Sequence, residues 1–302
     1  MPDENSPLEI ENKCKDDLRA LLEKIYQERG YDFREYKTAS VERRIKKRLF
    51  EQHLETYDQY SALLDLNPGE YSKLFDTLLI NVSEFFRDPE AWRVIEDEII
   101  PRILAKKSKG DSIRVWSAGC STGEEPYSFA ILLADKLGDA ISDYNIRIYA
   151  TDIDDKALAE ARTGQYAIGK LKNVREEFLD KYFIKENGFY KIHRNIRQMV
   201  AFGRQDIVSD APISRLDIVI CRNLLIYFNS DLQNRVITKF HYALYDHGYA
   251  FFGKSESMLA GSRLFESVNK TWRIFEKIEG PQSAIASGEM RTSYMRDKLK
   301  KA

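Results

Sequence analysis

The feature that most constrains this chain is a change of pattern near residue 111. Before it, apolar residues recur at helical spacing and no run reads as a strand. After it, short apolar runs alternate with helical stretches. Leu18, Leu21, Leu22 and Ile25 lie at i, i+3, i+4 and i+7, which makes one apolar stripe. Val41, Ile45 and Leu49 mark a second helix. Tyr57, Tyr60, Leu63 and Leu64 mark a third over about 56–66. Asn67-Pro68 reads as an N-cap followed by proline at the first helical position, and Tyr71, Leu74, Phe75, Leu78 and Leu79 continue from there. Residues 17–80 are therefore expected to form a small all-α domain of about four helices, after a flexible start over 1–16. A linker and helix fill 81–110.

From residue 111 to 279 the expectation is an α/β domain. Strand-like runs fall at Ile113–Ser117, Arg147–Thr151, Leu216–Cys221 and Gly248–Phe252. Helical stretches fall at Glu125–Leu137, Lys156–Ala161 and about 231–245. That alternation predicts a doubly wound, mainly parallel sheet with helices on both faces. One segment breaks it. Asn187-Gly188 sits between two alternating runs in 182–193, a hairpin signal because both turn positions need positive φ. The stretch of about 166–202 is read as a helix-plus-hairpin insertion, with 196–202 as a third antiparallel strand. The stretch 280–302 is read as a polar tail.

Composition narrows the function classes. The 302 residues carry 47 Lys+Arg against 48 Asp+Glu, a net charge of −1, so nothing draws the whole molecule to nucleic acid. No apolar stretch approaches the roughly 18 residues of a membrane span, and the acidic, polar start does not resemble a secretory signal. Cys14, Cys120 and Cys221 are far apart and odd in number, which fits a reducing cytosol rather than a disulfide framework. His53, His193, His241 and His247 are scattered, and no metal site is expected.

In open α/β sheets ligands bind at the carboxyl ends of the strands. Polar loops fall at three such ends. The first is Gly119-Cys-Ser-Thr-Gly123-Glu-Glu125, where glycines let a ligand approach the backbone. It lacks the Gly-Lys-Ser/Thr of a phosphate-binding loop, and it is not GxGxxG. Two glutamates at a helix start repel pyrophosphate but suit a cationic ligand that carries ribose hydroxyls, which points to S-adenosylmethionine. The alternative is plain architecture, since Glu near a helix N-terminus is favourable in any case. The second loop holds Asp152, placed to accept ribose hydroxyls. The third holds Asp206, placed to meet an adenine edge. Asn81 has a plain reading as a helix cap, and Arg87-Asp88 as a local ion pair. Phe85 and Phe86 read as packing, and Cys120 and Cys221 as small buried residues.

Four longer runs sharpen this reading. They are Asn81-Val-Ser-Glu-Phe-Phe-Arg87-Asp-Pro89, Trp116-Ser-Ala-Gly-Cys-Ser-Thr-Gly-Glu-Glu-Pro-Tyr-Ser128, Ala150-Thr-Asp-Ile-Asp154 and Cys221-Arg-Asn-Leu-Leu-Ile-Tyr-Phe228. In order and spacing they resemble those of chemotaxis receptor methyltransferases, the CheR family, over about residues 15–278. The resemblance implies a class I methyltransferase-like fold. It also implies S-adenosylmethionine-dependent methylation of glutamate side chains on cytoplasmic helices of chemoreceptors, with S-adenosylhomocysteine as product. Carried over by residue, Asn81, Ser83 and Arg87 contact the cofactor from the interdomain segment. Glu125 and Asp152, beside Gly119, hold its amino-acid or ribose portion, and Asp206 and Ile207 flank the adenine. Asn223 and Leu224 close the pocket, while Arg222 and Tyr227, with Arg87, face the substrate. Many relatives carry Thr at Ser83 and Asn at Asp206, and an ionised Asp only accepts hydrogen bonds.

Residues 41–50 hold five bases and one acid, Glu42. One reading is a solvated helix face. The other is a docking strip of Arg43, Arg44, Lys47 and Arg48 for an acidic receptor helix. In some relatives the hairpin insertion holds a receptor tail peptide by strand addition. A monomer is the simplest expectation. Two readings compete with receptor methylation: a methyltransferase with a different acceptor, and a non-catalytic cofactor-sensing adaptor.

Overall fold

The structure is a computed structural model that describes residues 7–256 and 264–278, with side chains from Lys15 onward. The expected polar tail, 280–302, lies outside the described residues, as do residues 1–6.

Helices α1 (Pro7–Arg29), α2 (Thr38–Glu51), α3 (Tyr57–Leu66) and α4 (Gly69–Leu78) make the helical domain. The first begins at Pro7, within the stretch 1–16 that was expected to be a flexible start. Asn67 accepts a hydrogen bond from Gly69 N at 3.1 Å, as a cap does. Thr56 and Gln59 form a reciprocal capping box that fixes the start of α3. The stripes meet inward, with Ile25, Ile45, Tyr60 and Leu74 fully buried in one cluster. Past the linker, α5 (Pro89–Val94) continues through a π-helical turn at Ile95–Ile99 into α6 (Ile100–Leu104).

The α/β domain follows in chain order. It comprises β1 (Ser112–Ala118), α7 (Glu124–Leu137), β2 (Asn145–Asp152), α8 (Asp155–Thr163) and β3 (Gln165–Ala167). Next come α9 (Glu176–Tyr182), β4 (Phe183–Glu186), β5 (Phe189–Ile192), α10 (Arg194–Arg197) and β6 (Val200–Arg204). It ends with β7 (Leu216–Cys221), α11 (Ser230–Ala243), β8 (Leu244–Phe252), β9 (Phe265–Asn269) and β10 (Ile274–Lys277).

The main sheet has seven strands in the order β6-β2-β1-β7-β8-β10-β9, and β10 runs antiparallel to both neighbours. Chain order reverses between β1 and β7, so the switch-point crevice opens at their carboxyl ends. Alternate residues split the core between the faces. Val115, Ile148, Ile218 and Phe251 pack on one side, and Trp116, Val219, Ala250 and Phe252 on the other. The central β7 is buried at every position, as a strand covered by helices on both faces must be.

The hairpin forms as expected, with Asn187 and Gly188 both at positive φ between β4 and β5. Its third strand is β3, not residues 196–202. Val200–Arg204 instead forms β6 and pairs in parallel with β2 at the edge of the main sheet, so the insertion closes before residue 200. A short apolar run does not reveal which sheet it will join, because edge pairing is a tertiary choice.

The helical domain clamps onto the end of the sheet. Lys37 N donates to Tyr227 O at 2.8 Å and Asn229 N donates to Glu35 O at 3.0 Å. Between those bonds the Tyr36 and Phe228 rings meet edge to face at 4.9 Å. Lys156 at the start of α8 pairs with Asp76 of α4 at 2.7 Å.

Candidate active site

A cavity of about 280 Å³ opens at the switch point. The loop after β1 lines it with Gly119, Cys120 and Ser121. The turn after β7 adds Arg222, Asn223, Leu224 and Tyr227, and the segment between the domains adds Asn81, Ser83 and Arg87. Glu125 and Asp152 complete the wall on which function was expected. Gly119 has φ +76° and gives its N–H to Thr151 O at 2.8 Å. A Cβ there would sit 2.8 Å from Leu224 Cδ2, so a side chain would push Leu224 aside, and the positive φ itself favours glycine.

Asp152 is held by the backbone. Its carboxylate accepts from Ser121 N at 2.7 Å and Asp154 N at 3.0 Å. Burial raises this carboxyl above its ordinary value, while those two N–H groups pull it down. Lone pairs remain on both oxygens for further donors. Glu125 accepts from Ser117 Oγ at 2.8 Å. Burial pushes its carboxyl up to about 7, against the pull of Arg222, the Ser117 hydroxyl and Arg87. Glu124 turns away from the cavity, which corrects the expectation that both glutamates face the ligand. It is fully buried, accepts from Thr122 Oγ1 and pairs with Lys170 at 2.9 Å.

The interdomain segment is tied to both neighbours. Asn81 does not cap a helix: its Nδ2 donates to Asp154 Oδ2 at 2.5 Å. Ser83 O accepts from Lys170 Nζ at 2.7 Å. Asp88 does not pair with Arg87. It pairs with the buried Arg222, whose Nη1 also donates to Arg87 O at 2.9 Å. Arg222 Nε has no hydrogen-bond partner. Burial draws the Arg222 guanidinium below its ordinary value, against Glu125 and Asp88, which raise it. Phe85 and Phe86 are buried packing residues, as are Cys120 and Cys221, whose thiols burial pushes up.

Two expected residues stand apart from this cavity's lining. Asp206 spends its carboxylate on its own loop, accepting from Val208 N at 2.8 Å and Ser209 Oγ at 3.0 Å. Ile207 packs against the core on the Trp116 face of the sheet. The basic strip also divides. Arg43 and Lys47 are exposed. Arg44 points inward, donating to Leu78 O at 2.5 Å with its guanidinium carbon 5.0 Å from the Tyr227 ring centre. Arg48 is buried and is no docking residue: its Nε donates to Glu70 Oε1 at 2.9 Å. Side-chain direction around a helix decides this, and like charges four apart in sequence do not reveal a buried acid two helices away.

Sequence reasoning missed Tyr36 and Trp92, both of which line the cavity. Tyr36 carries burial plus the fields of Asp206 and Asp152, which together push its hydroxyl well above the usual tyrosine range. No pattern marks it, because it reaches the site from the helical domain.

The family models described as the SAM binding domain and the all-alpha domain of CheR methyltransferase match residues 81–274 and 16–79. The chain belongs to the CheR methyltransferase family. It is 36% identical to the putative methyltransferase Cher3 of Pseudomonas putida over 86% of this chain and 96% of that one. It is 33% identical to the chemotaxis protein methyltransferase of Escherichia coli over 82% of this chain and 86% of that one. An uncharacterised 104.1 kDa protein of Rhodobacter capsulatus is 34% identical, and the match spans 82% of this chain but only 26% of that longer protein.

The sheet order is that of the class I methyltransferase-like fold expected. The cofactor of this CheR chain is S-adenosylmethionine, and the residues fit it. Gly119, at φ +76°, lets the loop after β1 close against Leu224 beside the cavity, and Glu125 is a half-buried carboxylate in the lining whose carboxyl is pushed up to about 7. Arg222 Nε is a buried donor in want of an acceptor. These are the complements of a ligand that is both ammonium and carboxylate at one end.

Proposed function

We propose that this methyltransferase esterifies glutamate side chains on the cytoplasmic helices of chemoreceptors, acting as a monomer in the cytosol. The observation that carries the reading is one cavity in which Glu125 and Asp152 share the lining with Arg87, Arg222 and Tyr227. The first pair suits a cationic nucleoside. The second set suits carboxylates: that of the cofactor's amino-acid end at Arg87, and that of the substrate at Arg222 and Tyr227. Relatives named chemotaxis protein methyltransferases, such as that of Escherichia coli, support a substrate in chemotaxis.

When bound, the cofactor supplies an activated methyl on a sulfonium. Asp152 accepts the ribose hydroxyls, and Glu125 accepts the ammonium of the amino-acid end. Arg87 meets the carboxylate end, with Asn81 and Ser83 beside it. Asn223 and Leu224 close over the bound nucleoside. Asp206 and Ile207 approach the adenine from outside the cavity's lining.

The receptor glutamate is already an anion at neutral pH, so no side chain needs to remove a proton. What the protein must provide is alignment and exclusion of water. Alignment alone can contribute up to about 7–11 kcal/mol. The Tyr227 hydroxyl donates to the incoming carboxylate, and the guanidinium of Arg44 against its ring holds the ring in place. Arg222 is already engaged by Asp88, so it sets the local field without clasping the nucleophile tightly. Exposed Arg43 and Lys47 steer the acidic receptor helix.

The test is transfer of tritium from labelled cofactor into receptor cytoplasmic fragments, followed by mapping of the labelled residue. Base-labile label on glutamate is expected. Label on another residue type would overturn the substrate assignment, and binding without transfer would overturn the activity.

A further inference from the structure

One buried carboxylate is used by no step above. Glu256 lies just past β8 and is 7% exposed. Its Oε1 accepts from Leu224 N at 3.0 Å and Leu225 N at 2.9 Å, and its Oε2 accepts from Gly253 N. Leu224 and Leu225 open the short 3₁₀ turn Leu225–Tyr227. N–H groups at such a start have no partner within the turn. A side chain from the end of β8 therefore caps the turn that follows β7.

The neighbourhood leaves little room for any other arrangement. A Cβ on Gly253 would lie 2.9 Å from both Asn223 N and Glu256 Oε2, so the two loops meet backbone to backbone. Asn223 itself is held at φ +62°, a conformation that asparagine tolerates but does not choose without support. Leu224 in turn lies over Gly119, 2.8 Å from where a Cβ would be. The carboxylate thus stands behind one wall of the cavity. It does not line the cavity itself, yet it fixes residues that do.

We propose that Glu256 is a positioning residue for the cofactor site, a latch whose carboxylate sets the turn carrying Asn223, Leu224 and Tyr227 into the cavity. The proposal rests on the cofactor assignment and not on the identity of the methyl acceptor. Glu256→Gln keeps the size of the side chain but turns one acceptor oxygen into an NH₂ donor, which faces either the Gly253 N–H or the two turn N–H groups. The purified variant is expected to bind S-adenosylhomocysteine about tenfold more weakly by calorimetry. Its KM for S-adenosylmethionine should rise by a similar factor. Hydrogen exchange at the Leu224 and Leu225 amides should quicken, with the strand amides of β1 and β2 unchanged.

Wild-type cofactor affinity in folded Glu256→Gln would overturn the latch, and so would unchanged protection at those two amides. A purely structural role predicts a lower melting temperature with intact affinity, which also overturns it. Should Glu256→Gln fail to fold, Gly253→Ala strains the same contact from the opposite loop and is expected to shift affinity in the same direction. Unchanged affinity in folded Gly253→Ala overturns the latch as well. Failure of the wild-type chain to bind the cofactor would count against the cofactor assignment instead, so the two failures are separable.

Discussion

Arg48 in the helical domain and Arg222 in the cavity wall are both buried, and each meets carboxylates. Their surroundings differ in one respect. Around Arg48 every guanidinium nitrogen is answered: Glu70 takes its Nε at 2.9 Å and one terminal nitrogen, and Glu51 takes the other. Tyr60 donates to the same Glu70 oxygen at 3.0 Å, while the second Glu70 oxygen has no hydrogen-bond partner and only Lys73 at 3.8 Å. Around Arg222 the set is left incomplete. Asp88 takes one end, Nε has no partner, and burial pushes the carboxyl of nearby Glu125 up to about 7. A closed set stabilises a fold. An open set is poised for a ligand, because the free donor and the uncomfortable acid both improve when something binds.

The largest effect is expected on the closed side. Glu70→Ala leaves Arg48 buried without its main counter-ion, a change worth about 3–5 kcal/mol. Urea unfolding should show the loss, while calorimetry on the folded fraction should show unchanged affinity for S-adenosylhomocysteine. A parallel fall in affinity would erase the distinction between the two arginines.

Next comes the open side. Replacing Glu125 with Gln removes a charge-assisted hydrogen bond worth roughly 1.5–3 kcal/mol, or about tenfold to a hundredfold in cofactor affinity at pH 8. The pH profile is the sharper test. In the free protein Glu125 titrates near 7, and only the charged form suits a cation. Affinity is therefore full above that pH and is lost as pH falls through it, by about tenfold per unit once the acid is mostly protonated. The difference between the wild-type and Glu125→Gln curves isolates this group, because Glu256, also pushed up to about 7, is present in both. Parallel curves would mean that Glu125 does not receive the ammonium.

A tenfold effect on turnover is expected at Tyr227→Phe, about what one hydrogen bond to a charged partner contributes. Cofactor affinity should hold, because the ring and its contact with Arg44 remain. Single-turnover transfer from labelled cofactor would read this directly, and equal rates in the two proteins would remove Tyr227 from the reaction.

What the sequence revealed divides along the same line. Strand β7 was legible because burial on both faces writes an apolar run broken only by Asp217, β1 because Ile113, Val115 and Trp116 mark a short strand before a glycine-bearing loop, and Asn187-Gly188 announced its hairpin through φ alone. The wall residues Gly119, Glu125 and Asp152 were legible because strand ends are where such sheets place ligands. Three things were not. Strands β9 and β10 pair antiparallel at the far edge, with nothing local to distinguish them from loop. Tyr36 enters the site from a separate domain. Glu256 and Glu70 act on partners far away in sequence, so only the folded chain shows whom they meet.

The smallest effect concerns the surface. Of the four residues expected to dock, Arg43 and Lys47 are the exposed ones, since Arg48 is buried and Arg44 is turned to Tyr227, while Lys46, also exposed, pairs with Glu42 at 2.6 Å. Lys47 already has Glu51 within 3.8 Å on the same helix, which weakens its field. Exposed charges of this kind contribute about 0.2–1 kcal/mol each, so reversing both to Glu should raise the KM for receptor fragments only a few-fold. Their action is long-range steering, and added salt suppresses it because the screening length shrinks from about 10 Å at 0.1 M to about 3 Å at 1 M. The wild type and the double variant should therefore converge at high salt while kcat stays equal throughout. A salt-independent difference would instead place these side chains in direct contact with the receptor helix. No difference at any salt would return the strip to an ordinary solvated helix face, and the contrast with Arg48 would then lie wholly in burial.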